Sequence, residues 1–156
     1  MKKITIILVL VFIFLGISNL TSAQCKQQLV YTCATEGEGA IYLRDFNTKL
    51  KKATGEEDSG TKWTVVLNKG THYRFILCTP DGFDEKVVLT LYDSQNPEKT
   101  GPHGSTWDQE NDKDYKQFDF ICEKSGMYYV SIRFKDESDD KKTCAVGILS
   151  FVGKNK

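Results

Sequence analysis

The chain is poor in the residues that catalysis most often recruits. Its 156 residues include two histidines, and no two of its five cysteines stand in a Cys-x-x-Cys pair. Gly-x-Ser-x-Gly, His-Glu-x-x-His and a phosphate-cradling glycine loop are all missing, which removes the common signatures of serine hydrolases, zinc peptidases and nucleotide-binding proteins. His72 and His103 lack partners at ligand spacing, so a zinc site is excluded on similar grounds. An excess of one charge is lacking too, since 21 basic residues balance 21 acidic ones. The single basic cluster, Arg44, Lys49, Lys51 and Lys52, runs directly into Glu56, Glu57 and Asp58, and no basic stripe interleaves with aromatics. Nucleic acid is therefore not an expected partner.

One long apolar run is present, from Ile4 to Leu15, preceded by Lys2 and Lys3 and followed by the small, polar stretch Ser18 to Ala23. This is the pattern of a secretory signal peptide over residues 1–23, with cleavage before Gln24. The run is too short for the roughly 20 apolar residues of a transmembrane anchor, so no transmembrane segment is expected after its removal. Cys25 does not make the chain a lipoprotein, because lipid attachment wants a small residue before the cysteine and Gln24 stands there. The expected product is secreted or periplasmic, carries a slight excess of acid, and forms one domain over residues 24–156.

All five cysteines, Cys25, Cys33, Cys78, Cys122 and Cys144, lie beyond the cleavage point and so meet an oxidising compartment. Two disulfides and one leftover thiol follow, with connectivity left open by the sequence. The favoured pair is Cys78 with Cys122, since each ends a strand-like run. Cys25 with Cys33 is second.

Alternating apolar patterns organise the rest. Phe118-Phe120-Cys122 and Tyr128-Val130-Ile132-Phe134 flank Glu123-Lys124-Ser125-Gly126. They read as a hairpin with Gly126 left-handed, or else as an arch carrying the chain between two sheets. Trp63–Leu67 and Thr71–Cys78 around Asn68-Lys69-Gly70 read as a second hairpin. Strands are also expected at 29–33, 40–46, 87–92 and 144–152, the last apolar on both faces, with exposed loops over 47–61 and 136–142. About eight strands without a long helix predict an all-β, antiparallel β-sandwich.

The long irregular segment 95–114 holds the residues with most binding potential. Trp107 stands in a polar stretch where an aromatic has no periodic reason to be, and with Tyr92 it could form an aromatic platform for a sugar ring or a partner side chain. The bland reading has Trp107 folding back over one end of the sandwich. Asp108, Glu110, Asp112 and Asp114 concentrate oxygen ligands of the kind calcium takes, though without the glycine and the closing glutamate of an EF-hand. No other cofactor is expected, and scattered acids such as Asp81, Asp84, Glu85 and Asp93 do not by themselves define a glycosidase.

Four stretches stand in the order found in a known family: Gly70-Thr71-His72-Tyr73-Arg74-Phe75, Leu89-Thr90-Leu91-Tyr92-Asp93, Phe118-Asp119-Phe120, and Ser125 to Val130. Over residues 63–152 the chain resembles the bacterial pre-peptidase C-terminal domain. The resemblance implies a jelly-roll-like sandwich without catalytic residues of its own, usually appended to secreted enzymes, and related collagen-binding modules use calcium. This chain differs in having no peptidase attached, an N-terminal extension and cysteines at strand ends. The resulting expectation is a non-catalytic secreted binding or accessory module for an extracellular or envelope protein or a glycan. The alternatives are a carbohydrate-binding module and a structural or envelope-assembly protein.

Overall fold

The computed structural model describes residues 27–51, 60–94, 101–136 and 142–154. The expected signal peptide and cleavage site, Cys25, residues 95–100 of the irregular segment, and most of the charged loops expected over 47–61 and 136–142 lie outside the described residues.

Helix α1 (Gln27–Thr35) opens the described chain. The strands are β1 (Ile41–Leu50), β2 (Thr61–Leu67), β3 (Thr71–Cys78), β4 (Val87–Tyr92), β5 (Gly104–Ser105), β6 (Trp107–Asp108), β7 (Lys113–Asp114), β8 (Gln117–Ile121), β9 (Gly126–Phe134) and β10 (Thr143–Lys154). Two four-stranded sheets are formed, ordered β1-β10-β3-β8 and β2-β9-β4-β5, and β6 with β7 makes a separate ribbon. Every pairing is antiparallel. Since β1, β3, β8 and β10 belong to one sheet and β2, β4, β5 and β9 to the other, the chain repeatedly crosses the core, as in a jelly roll. The all-β sandwich expected from the patterning is the fold observed.

Alternation explains the main core. Tyr73, Phe75 and Leu77 of β3 meet Val130 and Ile132 of β9, Leu89 and Leu91 of β4, and Phe46 and Leu50 of β1 between the sheets. A second, smaller core lies on the outer face of the first sheet, where Ile76, Cys78, Val146 and Ile148 are covered by Leu29, Val30, Cys33 and Ala34 of α1. This is why β10 is apolar on both faces. It also corrects the strand expected at 29–33. Leu29, Val30, Cys33 and Ala34 recur at helical spacing, and the face they make buries against the sheet.

The hairpin expected around 68–70 does not form, and at 123–126 the arch, not the hairpin, is the geometry observed. β2 pairs with β9, β3 with β10 and β8, and β9 with β2 and β4. Both short connections are arches between sheets. Sheets pack about 10 Å apart, and three extended residues at roughly 3.3 Å each cover that gap. Arching lets β3 and β9 each gain neighbours on both edges, satisfying both rows of backbone groups. Gly70, at φ 74°, takes the left-handed conformation in the first arch, whereas Gly126 in the second does not. β1 also runs on through Leu50, into the stretch expected to be loop.

Cys33 is bonded to Cys78, and Cys144 is disulfide-bonded as well. Cys122 is the free thiol, and it is buried. The expected Cys78–Cys122 and Cys25–Cys33 pairs are thus both corrected. Antiparallel pairing of β8 with β3 places Cys122 beside Thr71, at the opposite end of β3 from Cys78, about 23 Å away at 3.3 Å per residue. Cys78 faces outward under α1 while Cys122 faces the main core.

Candidate functional site

The two ends of the sandwich carry different concavities. At one end the arches 68–70 and 123–125 lie side by side. The Gly70 N–H donates to the Cys122 carbonyl (2.8 Å), and the Cys122 N–H donates to the Thr71 carbonyl (3.0 Å). The Lys69 N–H donates to Ser125 Oγ (2.8 Å), and the Asn68 N–H to Tyr73 Oη (3.0 Å). Backbone held this way is preorganised, so groups mounted on it need little ordering when a partner arrives.

A cavity of about 590 Å³ opens beside these arches, lined by Asp93, His103, Phe120, Ile121, Met127, Tyr128 and Tyr129 among others. His103 Nε2 lies 3.2 Å from Asp93 Oδ2, and its ring packs edge-on to Tyr128 at 5.8 Å between centroids. Phe120 meets Tyr128 edge-on at 5.5 Å. The Tyr128 hydroxyl donates to the Lys124 carbonyl (2.8 Å), and the Cys122 thiol lies 3.7 Å from it. Burial, followed by the hydrogen bond with Cys122 and the negative fields of Cys122, Asp93 and Glu123, pushes this hydroxyl up to about 12. Among the lining residues Met127 and Ile121 are 61% and 47% exposed; outside the cavity, Val66, paired with Met127 across β2 and β9, is 69% exposed.

At the other end, a larger cavity of about 800 Å³ lies between α1, the end of β1, the start of β10 and the turn after β3. Leu29, Leu50, Pro80 and Phe83 supply its apolar walls.

The residues singled out in the sequence are placed elsewhere or already engaged. Trp107 is half-buried in the β6–β7 ribbon, with its indole N–H donating to Asp112 Oδ1 (3.1 Å) and Lys135 lying 5.0 Å from the ring centroid. The ribbon is pinned to β4 through buried Thr106, whose N–H donates to the Leu89 carbonyl (2.9 Å) and whose Oγ1 accepts the Leu89 N–H (3.0 Å). Tyr92 is half-buried at the end of β4, paired with Tyr129.

Three of the four acids offered for calcium are engaged within the protein. Asp108 caps the turn by accepting the Glu110 and Asn111 N–H groups and the Asn111 side-chain amide, whose bond is the main reason its carboxyl is held below the usual range. Asp112 accepts from Trp107, and Asp114 pairs with Lys135. Glu110 is exposed. Among the described residues no three His, Cys, Asp or Glu side chains are grouped so as to hold a metal ion. His72 sits on the outer face of the first sheet, 3.0 Å from Asp119, which Arg74 also grips through two nitrogens at 2.7 and 3.0 Å.

Sequence reasoning missed the arch-end group of Asp93, His103, Phe120, Tyr128 and Met127. Phe120 comes from β8 and Met127 and Tyr128 from β9, joined by an arch, while Asp93 follows β4 and His103 precedes β5, with the His103 N–H donating to the Leu91 carbonyl (2.8 Å). Strict alternation marked Phe120 and Tyr128 as core, but nothing in the pattern placed His103 beside them.

The strand order defines the class, an antiparallel jelly-roll sandwich with a helix fastened to one outer face. Within that class, the structure is similar to a solved protein of Aeromonas hydrophila, PliG, a periplasmic lysozyme inhibitor of g-type lysozyme. The match has a TM-score of 0.54 and 10% sequence identity, covering 71% of this chain and 87% of that one. No protein-family model matches the chain, and no curated protein matches it in sequence. Among the described residues, no helix is long and apolar enough to cross a membrane.

Proposed function

We propose that this protein is a secreted, non-catalytic binding module that docks a protein partner through its arch end. The observation that carries the reading is that exposed Ile121 and Met127 line, with polar Asp93, His103 and Ser125, a concavity on hydrogen-bonded arches. Protein interfaces are built from apolar anchors with a polar surround, on surfaces that move little. The likeness in fold to an inhibitor of g-type lysozyme supports a secreted enzyme as the kind of partner to try first. The order of the strand motifs supports the resemblance to pre-peptidase C-terminal domains, whose accessory role fits the same reading.

The glycan alternative relied on Trp107 and Tyr92 as a platform. The indole is capped by Lys135 and Tyr92 is half-buried, which favours the protein reading. The envelope-assembly alternative relied on the odd cysteine or an open sheet edge; Cys122 is buried, and the β1 edge with exposed Ile41, Tyr42 and Leu43 is what supports it.

The test is calorimetric titration of the mature, oxidised protein with g-type lysozyme and, separately, with soluble peptidoglycan fragments. Saturable binding of the lysozyme, lost in Ile121→Glu/Met127→Glu with unchanged melting, supports the proposal. Binding of a glycan alone would move the protein to the carbohydrate-binding class.

A further inference from the structure

The cavity at the helix end plays no part in that reading. We infer that it is a second binding site, for an amphipathic anion consisting of an acyl chain with a carboxylate head. Its walls are Leu29, Leu50, Pro80 and Phe83, and Lys49, Lys51 and Lys142, all exposed, stand around it. No acidic side chain is among the described residues that line it. Its volume of about 800 Å³ falls within the range of small-ligand pockets. Apolar walls under a cationic rim complement a ligand with the reverse arrangement. The chain leaves water against Leu29 and Phe83, while the head stays at the mouth, where the lysine ammonium groups remain hydrated. One wall is also held covalently, because Cys33 of α1 is bonded to Cys78 of β3.

The experiment titrates the mature, oxidised protein, below micelle-forming concentrations, with three ligands sharing one chain: dodecanoate, dodecanol and dodecyltrimethylammonium. Displacement of the fluorescent apolar anion anilinonaphthalene sulfonate gives the readout. The inference predicts saturable one-to-one binding of dodecanoate, about tenfold tighter than dodecanol and with the cation weakest, a preference that shrinks with added salt. Lys49→Glu/Lys51→Glu/Lys142→Glu should abolish the preference for dodecanoate over dodecanol without lowering the melting temperature. Thr32→Trp, an exposed helix position at the cavity wall, should block all three ligands.

Lys51 is followed in sequence by Glu56, Glu57 and Asp58, so the lysine variants decide whether the site is cationic in effect. Equal binding of the three heads, an unchanged preference in the lysine variant, or full binding by Thr32→Trp would each overturn the inference. None of these results bears on lysozyme binding at the arch end.

Discussion

Gly147 shows how tightly single positions are specified. It lies in the middle of β10, where a Cβ would stand 2.7 Å from Leu89 Cδ1 and 3.1 Å from Ile132 Cδ1, inside the main core. Gly147→Ala should lower stability by about 1–3 kcal/mol through overpacking, read as a lower denaturant midpoint with unchanged slope. Tyr128 makes a prediction in pH. Its hydroxyl is held protonated in the native state, up to about 12 against an ordinary 10.0, so its contribution to stability is whole below pH 10 and is lost as pH rises toward 12. Tyr128→Phe should be less stable at neutral pH, having lost the bond to Lys124, and its melting temperature should fall less steeply across that alkaline window. Asp119 works in the opposite direction. The Arg74 guanidinium, helped by His72, holds its carboxyl below the ordinary 3.8, so its stabilising effect is present above that value and disappears as pH falls further. The melting gap between the protein and Asp119→Asn should close on acidification, and a gap that stayed constant would remove the assignment.

At the scale of elements, the arches and the Cys33–Cys78 bond govern the structure. Removing the bond with Cys33→Ala/Cys78→Ala opens a 45-residue loop, which in the loop-entropy model costs about 4 kcal/mol. The same change releases α1 from the outer face, so proteolysis of the variant should begin within 27–35, whereas the oxidised protein resists there. The strands β2, β3, β8 and β9 were legible because alternation reports burial directly, β4 and β10 because a continuous apolar run marks a strand buried on both faces, and most of β1 from its run at 40–46. Their partners were not. A three-residue glycine-containing connection has the same composition whether it turns a chain back within one sheet or carries it across to the other, and both solutions put Phe120 and Tyr128 in the core. The helix was misread because Leu29 to Cys33 is a short apolar run, and what decides its form is the second core that α1 makes with Ile76, Val146 and Ile148, residues over forty positions away in sequence. The disulfide was missed for a related reason. Its choice depends on which end of β3 each cysteine reaches, and register settles that.

For the whole molecule, the sandwich is a frame with two dissimilar ends, and β1 and β8 form the edges of its first sheet. The residues proposed to make the contact at the arch end were illegible because they are scattered over Asp93, His103, Ile121 and Met127. Trp107, the most conspicuous residue in the sequence, is spent on closing the β6–β7 ribbon against Lys135. The arch end is the contact surface we propose. Binding to immobilised g-type lysozyme is compared for two charge-introducing variants, Ile121→Glu/Met127→Glu at the arch end and Ile41→Glu/Leu43→Glu on the β1 edge. All four positions are exposed, so both variants should melt like the parent. The arch-end variant should lose at least about 30-fold in affinity, as expected when anchor residues are replaced by charge, and the edge variant should bind as the parent does. Loss of binding in the edge variant with retention in the arch-end variant would overturn the proposal and place the interface on β1.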